Sequence, residues 1–244
     1  QPLMNKFLDN AAAVVATSPK YITSSPVLSN LNQTVELIPN GIGKEPARIS
    51  YESEYDEFYK KYGNNFFLFI GVFRYYKGLY YLLEAAKKTG LPLVIAGDGP
   101  ESSVLHRYAQ ENKLENVHFL GHVSDKKKYA LIALTRGLIL PASERSEAYG
   151  MVLLEAARQG VAMITTELQS GTSYINIHNE TGLVVTAKNT ENLAEAMRYF
   201  IENDEVVSKM TMAAKQRFEN YFTAGIMGKA YLTLYQMILD KNKL

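Results

Sequence analysis

Apolar residues in this chain fall into short, nearly unbroken runs separated by longer amphipathic stretches. Runs at 12–16, 35–38, 66–71, 91–96, 117–120, 138–141, 161–165 and 182–185 have the length and content of buried strands. Between most of them, apolar positions recur with helical spacing at about 77–89, 100–112, 124–134, 149–159 and 190–203. Strands that are apolar on both faces need cover on both faces, and alternating helices supply it. The pattern predicts an α/β fold from about 63 to 205, a doubly wound parallel sheet with right-handed connections. Ligands of such sheets bind beyond the carboxyl ends of the strands.

The flanks break this rhythm. Residues 1–42 read as a helix, a strand, a segment containing Thr17-Ser18-Pro19 and Ser24-Ser25-Pro26, and a second strand ending at Pro39-Asn40-Gly41. They are expected to close a preceding domain. Residues 43–62 are polar and tyrosine-rich, as in a linker with one short helix. Two helices are expected at 205–222 and 226–241, broken at Thr223-Ala224-Gly225. The expected division is therefore 1–42, 43–225 and 226–244. Gln1 is not an initiating residue, so more chain is expected ahead of it.

Composition acts mainly by exclusion. A hydrophobic content of 47% and a charged content of 21% are those of an ordinary globular protein. With 26 basic against 25 acidic residues, no global field draws the chain to nucleic acid or to an anionic membrane. The lack of cysteine excludes disulfides and thiol catalysis and is compatible with a reducing compartment. No apolar run approaches the roughly 18 residues of a membrane span, and no signal-peptide pattern opens the chain. Without a His/Cys cluster, an Asp-x-Asp pair or a nucleophile beside a local base, neither a metal site nor covalent Ser chemistry is expected.

The residues that could do chemistry lie at the predicted strand ends. Gly71-Val72-Phe73-Arg74-Tyr75-Tyr76-Lys77-Gly78 combines two glycines with two cations and opens a helix. Arg74 could grip phosphate with parallel N–H bonds and Lys77 as a compact charge, or both could sit in a solvated basic loop. Gly97-Asp98-Gly99-Pro100 is a tight strand-to-helix turn; without a third glycine it makes a poor dinucleotide fingerprint. Backbone groups of Gly121-His122-Val123 could read a nucleobase edge, with Ser124 capping the next helix. Lys126-Lys127-Lys128 reads as a solvated helix face. Ser170-Gly171-Thr172-Ser173 could cap a helix facing the cleft.

The most informative stretch is Ser143-Glu144-Arg145-Ser146-Glu147-Ala148-Tyr149-Gly150-Met151-Val152-Leu153-Leu154-Glu155. With a helix beginning near Tyr149, Glu147 stands in the preceding loop and Glu155 about two turns in. The free N–H groups of that first turn, around Tyr149, Gly150 and Met151, are suited to phosphate. Two carboxylates flanking an anion site suit a sugar nucleotide; a capping glutamate and a solvated one are the plainer alternative.

Taken in order, these segments resemble the C-terminal half of the retaining GT-B glycosyltransferases of family 4, the group 1 family, over most of the chain. Ile38-Pro39-Asn40-Gly41 resembles its interdomain hinge, Phe69-Ile70-Gly71 through Lys77-Gly78 its first donor-phosphate loop, and Gly97-Asp98-Gly99-Pro100 its glycine-aspartate-glycine turn. Phe119-Leu120-Gly121 resembles the loop that approaches the base. Glu147-Ala148-Tyr149-Gly150 through Glu155-Ala156 resembles its signature of two glutamates with seven residues between them. Asn179-Glu180-Thr181-Gly182-Leu183-Val184 resembles its closing segment.

The resemblance implies a Rossmann-like donor domain, a remnant of the N-terminal domain before it, and a C-terminal helix that crosses back towards that domain. It implies transfer of a hexosyl unit from a nucleotide diphosphate sugar, such as a UDP- or GDP-hexose, to an acceptor hydroxyl. Anomeric configuration is then retained, and no metal or other cofactor takes part. Lys77 is implied to bind the diphosphate and stabilise the leaving group, Glu147 to contact donor-sugar hydroxyls and Glu155 the ribose. Gly71, Gly97, Gly121, His122, Val123, Tyr149, Gly150 and Met151 are implied to line the donor site.

Two departures stand out. Many family members carry a basic residue directly after the glycine that ends the first strand; here that place is Val72, and Arg74 is expected to supply the second charge. The family's acceptor domain, with its active-site histidine, is not in these residues, so alone they are expected to bind a donor without turning it over. The family's setting implies a carbohydrate or lipid-linked acceptor, no nucleic acid, and a cytoplasmic protein able to associate with the inner membrane face. A nucleotide-sugar epimerase of the same fold and a non-catalytic nucleotide-sugar-binding module are the alternatives.

Overall fold

The computed structural model describes residues 2–44 and 47–241. Gln1, part of the expected linker at 45–46, and the end of the last expected segment at 242–244 lie outside the described residues. Every expected strand is present. The N-terminal piece comprises α1 (Pro2–Asp9), β1 (Val14–Ala16), α2 (Pro19–Ser24) and β2 (Val35–Leu37). Its two strands pair in parallel as a small sheet of their own.

After α3 (Glu52–Tyr62), strands and helices alternate: β3 (Phe67–Ile70), α4 (Leu79–Thr89), β4 (Leu93–Ala96), α5 (Ser102–Glu111), β5 (Val117–Gly121) and α6 (Asp125–Leu134). The second half runs β6 (Gly137–Leu140), α7 (Met151–Arg158), β7 (Met163–Glu167), α8 (Thr172–Ile175), β8 (Gly182–Thr186) and α9 (Thr190–Glu202). Two long helices follow, α10 (Asp204–Tyr221) and α11 (Ala224–Lys241).

The six strands β3 to β8 form one parallel sheet in the order β5-β4-β3-β6-β7-β8. The chain starts at the centre, winds outward to β5, returns to β6 beside β3, and winds the other way. The loops leaving β3 and β6 therefore part, and a crevice opens between them. Phe67 to Phe69, Leu93 to Ala96 and Leu138 to Leu140 are buried, as a sheet covered on both faces requires. Gly137 opens β6 because an ideal Cβ there would stand 2.9 Å from the Phe200 ring of α9.

Three expectations need correction. The segment before β3 is more than a linker: α3 buries Phe58, and Tyr51 just ahead of it stacks on Tyr129 of α6 with centroids 5.9 Å apart. α4 begins at Leu79, because Tyr75–Lys77 forms a 3-10 turn closed by Gly78 at φ 69. α7 begins at Met151, behind Gly150 at φ 83. Glu155 therefore stands about one turn into the helix, not two.

The N-terminal piece is joined to the larger unit by backbone and side-chain bonds. Ile42 N–H donates to the Phe222 carbonyl at 3.0 Å, and Ala224 N–H donates to the Ile42 carbonyl at 2.8 Å. The turn at Pro39-Asn40-Gly41 and the α10–α11 break thus form one joint. At the carboxyl end of β7, Lys20 of α2 pairs with Glu167 at 2.6 Å. Leu232, Tyr235, Met237 and Leu239 of α11 are exposed. No helix among the described residues is long and apolar enough to cross a membrane.

Gly78 is where the two central loops touch. An ideal Cβ there would lie 2.0 Å from the Pro141 carbonyl oxygen, whereas Gly90, at φ 67, has nothing within 4 Å. Gly90→Ala is expected to cost about 1–2 kcal/mol of backbone strain, and Gly78→Ala at least about 3 kcal/mol because the collision adds to it. Urea unfolding of the two variants checks the difference.

Candidate functional site

Backbone contacts bring the loops after β3 and β6 together. Ser143 N–H donates to the Tyr76 carbonyl at 2.7 Å, alongside the Gly78–Pro141 approach. Lys77 is the last residue of the 3-10 turn, and Glu147 lies three residues ahead of the left-handed Gly150. Both side chains point into the crevice, where the Lys77 ammonium and the Glu147 carboxylate form an ion pair. Only 15% and 9% of these side chains are exposed, so each charge depends on the other for its compensation. An ideal Cβ at Gly71 would stand 3.9 Å from Lys77 Nζ, which places the pair against the end of β3.

Beside it lies a cleft of about 490 Å³ lined by Gly71, Val72, Gly97, Asp98, His122 and Lys128, among others. Gly97 is required there, since an ideal Cβ would fall 1.9 Å from the Gly71 carbonyl oxygen. Asp98 accepts from the Ser102 hydroxyl and from Gly99 N–H, and these bonds hold its carboxyl below the usual range, so it is an anion on the cleft wall. His122 is exposed and Val123 half-buried at the same wall, just beyond Gly121.

Glu155 is bound by a residue expected in a solvated run. Lys128 Nζ lies 2.7 Å from Glu155 and 3.1 Å from Asp125, and its side chain is 19% exposed. Burial pulls the Lys128 amine down, but Glu155 and Asp125 together outweigh it and hold the amine above its ordinary value. A signal for Lys128 did exist in the sequence: its acidic neighbour three residues back, Asp125, marks a paired cation on one helix face.

Two expected site residues are placed elsewhere. Tyr149 is buried, and its hydroxyl donates to the Asn40 carbonyl at 3.3 Å, tying the start of α7 to the hinge turn. Burial pushes that phenol well above its ordinary pKa. Arg74 is exposed and lines a separate hollow between α4 and α5, while Lys128 is a cation lining this cleft. Met151 is exposed at the start of α7, whose first turn has no side-chain cap. The Ser170–Ser173 segment starts α8 with Gly171 as its cap rather than a serine, and the Ser173 hydroxyl accepts from Lys20 at 3.0 Å. Among the described residues, no group of three or more His, Cys, Asp or Glu side chains is placed to hold a metal ion.

A six-stranded parallel sheet wound outward from its centre and flanked by helices is the fold found in GT-B glycosyltransferases. HepE of Anabaena, solved in complex with UDP, superposes with a TM-score of 0.81 at 22% identity, over 96% of this chain and 66% of that one. Residues 52–217 match the family model of the glycosyl transferases group 1, and the chain belongs to that family. It is 40% identical over 243 residues to O-antigen chain mannosyltransferase C of Escherichia coli, covering 99% of this chain and 65% of the relative. It is 42% identical over 224 residues to D-rhamnosyltransferase WbpZ of Pseudomonas aeruginosa, covering 92% and 59%. The chain thus spans less than two thirds of the length of these relatives.

The ion pair sets a stability test. Lys77→Met leaves the Glu147 carboxylate buried without its partner and is expected to cost about 2–3 kcal/mol. Lys77→Met/Glu147→Gln removes both charges and is expected to recover most of that loss. A double-mutant cycle by urea denaturation measures the coupling.

Proposed function

We propose that the chain is the donor-binding half of a glycosyltransferase that moves a hexosyl unit from a nucleotide diphosphate sugar to an acceptor hydroxyl. The observation that carries this is the Lys77–Glu147 pair at the mouth of the crevice, with Glu155 one helical turn into α7 on the cleft side. Lys77 supplies a compact positive charge where a diphosphate leaving group gains negative charge, the interaction that usually contributes most to such a reaction. Glu147, acceptor-only when ionised, takes hydrogen bonds from donor-sugar hydroxyls. Glu155, oriented by Lys128, does the same for the ribose. The uncapped first turn of α7 offers N–H groups to phosphate, and the Gly121–Val123 backbone meets the base.

The relatives' names support a mannosyl or rhamnosyl unit and a role in building surface polysaccharide, and the UDP complex of HepE supports a nucleotide donor. Retention follows the family resemblance, and transfer proceeds without a metal because Lys77 and the helix end supply the positive field that a cation would otherwise provide. The acceptor is a carbohydrate or lipid-linked glycan held by further sequence that pairs with residues 2–42 and α11, in a protein that works at the inner face of the membrane.

Calorimetry with UDP, GDP and their hexose conjugates, with and without EDTA, tests this. A nucleotide sugar is expected to bind equally well in both. Lys77→Ala is expected to weaken it by about 1.5–3 kcal/mol, roughly 10- to 100-fold. Glu147→Gln is expected to leave the bare nucleotide diphosphate within about 3-fold while removing the extra affinity contributed by the sugar. No nucleotide binding, or release of a free or epimerised sugar without acceptor, would overturn the transferase reading.

A further inference from the structure

The loop that carries Lys77 has a second face. Its residues Gly71 and Val72 line the donor cleft, but Arg74 and Tyr75 turn the other way, into a hollow of about 290 Å³ between α4 and α5. Tyr80 of α4, Glu101 at the cap of α5, and Val104 and Tyr108 along α5 also line it. Tyr75 and Tyr80 are 71% and 51% exposed, an unusual pair of bare rings on one rim. Tyr80 meets Tyr108 at 65° with centroids 5.1 Å apart and Tyr81 at 81° and 6.0 Å. The Tyr108 hydroxyl is buried without a hydrogen-bond partner. Such a group costs free energy unless something supplies the missing bond.

We propose that this hollow is a second carbohydrate-binding site, taking one neutral hexopyranose unit of an oligosaccharide. The electron-rich faces of Tyr75 and Tyr80 suit the C–H face of a pyranose ring, whose hydrogens carry partial positive charge. Arg74 donates to ring hydroxyls and Glu101 accepts from them. One cation opposite one anion favours a neutral ligand over a phosphate, which Glu101 would repel. At about 290 Å³ the hollow is at the small end of ligand pockets, sized for a sugar unit rather than a nucleotide. It adjoins the donor cleft: Tyr75 stands edge-on to Tyr76 at 5.6 Å, and Lys77 Nζ lies 5.6 Å from the same Tyr76 ring. A glycan held there would keep its chain beside the donor site.

The test uses the intact 244-residue chain labelled with 3-fluorotyrosine and titrated with α-linked mannotriose or maltotriose, followed by fluorine NMR. Saturable shifts of the Tyr75, Tyr80 and Tyr108 signals are expected, with a dissociation constant near about 1 mM. Saturating UDP or GDP should not displace the sugar. Tyr80→Ala and Arg74→Ala are each expected to weaken it roughly 5- to 10-fold. Both side chains are exposed, so both variants should fold. Tyr108→Phe removes the buried unpartnered hydroxyl, so it should raise the thermal midpoint and leave the sugar's affinity unchanged. No shift at 50-fold the expected dissociation constant, displacement by nucleotide, or unchanged affinity in Tyr80→Ala would overturn the proposal. So would Arg74→Ala weakening the nucleotide and not the oligosaccharide, which would return Arg74 to the donor cleft.

Discussion

Where β3 and β6 lie side by side with their loops leaving in opposite directions, this molecule has to hold a gap open without losing backbone hydrogen bonds. It does so with backbone-to-backbone contacts. Ser143 N–H reaches the Tyr76 carbonyl and Gly78 abuts the Pro141 carbonyl, while on the other side of the β3 loop Gly97, after β4, abuts the Gly71 carbonyl. None of these contacts uses a side chain, so the side chains of the two loops remain free to face the crevice. The glycines are needed because only a residue without Cβ lets two main chains approach this closely. Everything else in the site, from the Lys77–Glu147 pair to the cleft beside it, rests on that spacing.

Each lysine of the site is held by a glutamate. Lys77 neutralises Glu147, and Lys128 neutralises Glu155. Buried or half-buried pairs of this sort contribute little net stability, since desolvation offsets most of the attraction. What they do is hold opposite charges at fixed points, ready for a ligand with an anionic diphosphate and several hydroxyls. On the proposed reading, a donor extends each pair rather than breaking it: phosphate approaches the lysine while hydroxyls approach the glutamate.

The loop carrying Glu147 also answers to the N-terminal piece. Arg145, two residues before it, donates to the carbonyl and the hydroxyl of Ser24, each at 2.8 Å. Tyr149, two residues after it, donates to Asn40 in the hinge turn. Glu147 is thus bracketed by two contacts with residues 2–42, so a shift of that piece moves the loop that positions the carboxylate. The relatives extend well beyond the span matched here, and this bracket is the mechanical route by which further sequence could act on the donor cleft.

Sequence alone determined the strands, the alternation of strand and helix, and the residue types at each strand end, because these follow from local periodicity and from which segments must be covered on both faces. It also brought Glu147, Glu155 and Lys77 forward as one set, through their order and spacing. Directions were decided only by the tertiary structure. Three consecutive lysines are alike in a sequence, but α6, packed on α3, turns Lys128 towards Glu155 of α7. Arg74 and Lys77 sit three residues apart, yet the 3-10 turn and left-handed Gly78 send them to opposite faces of one loop. The Tyr149 side chain fills the joint under Asn40, and α7 starts two residues later, behind a glycine that no capping side chain announces. A pattern of residue types specifies which groups are available at a strand end; only the packing of neighbouring loops specifies where each one points.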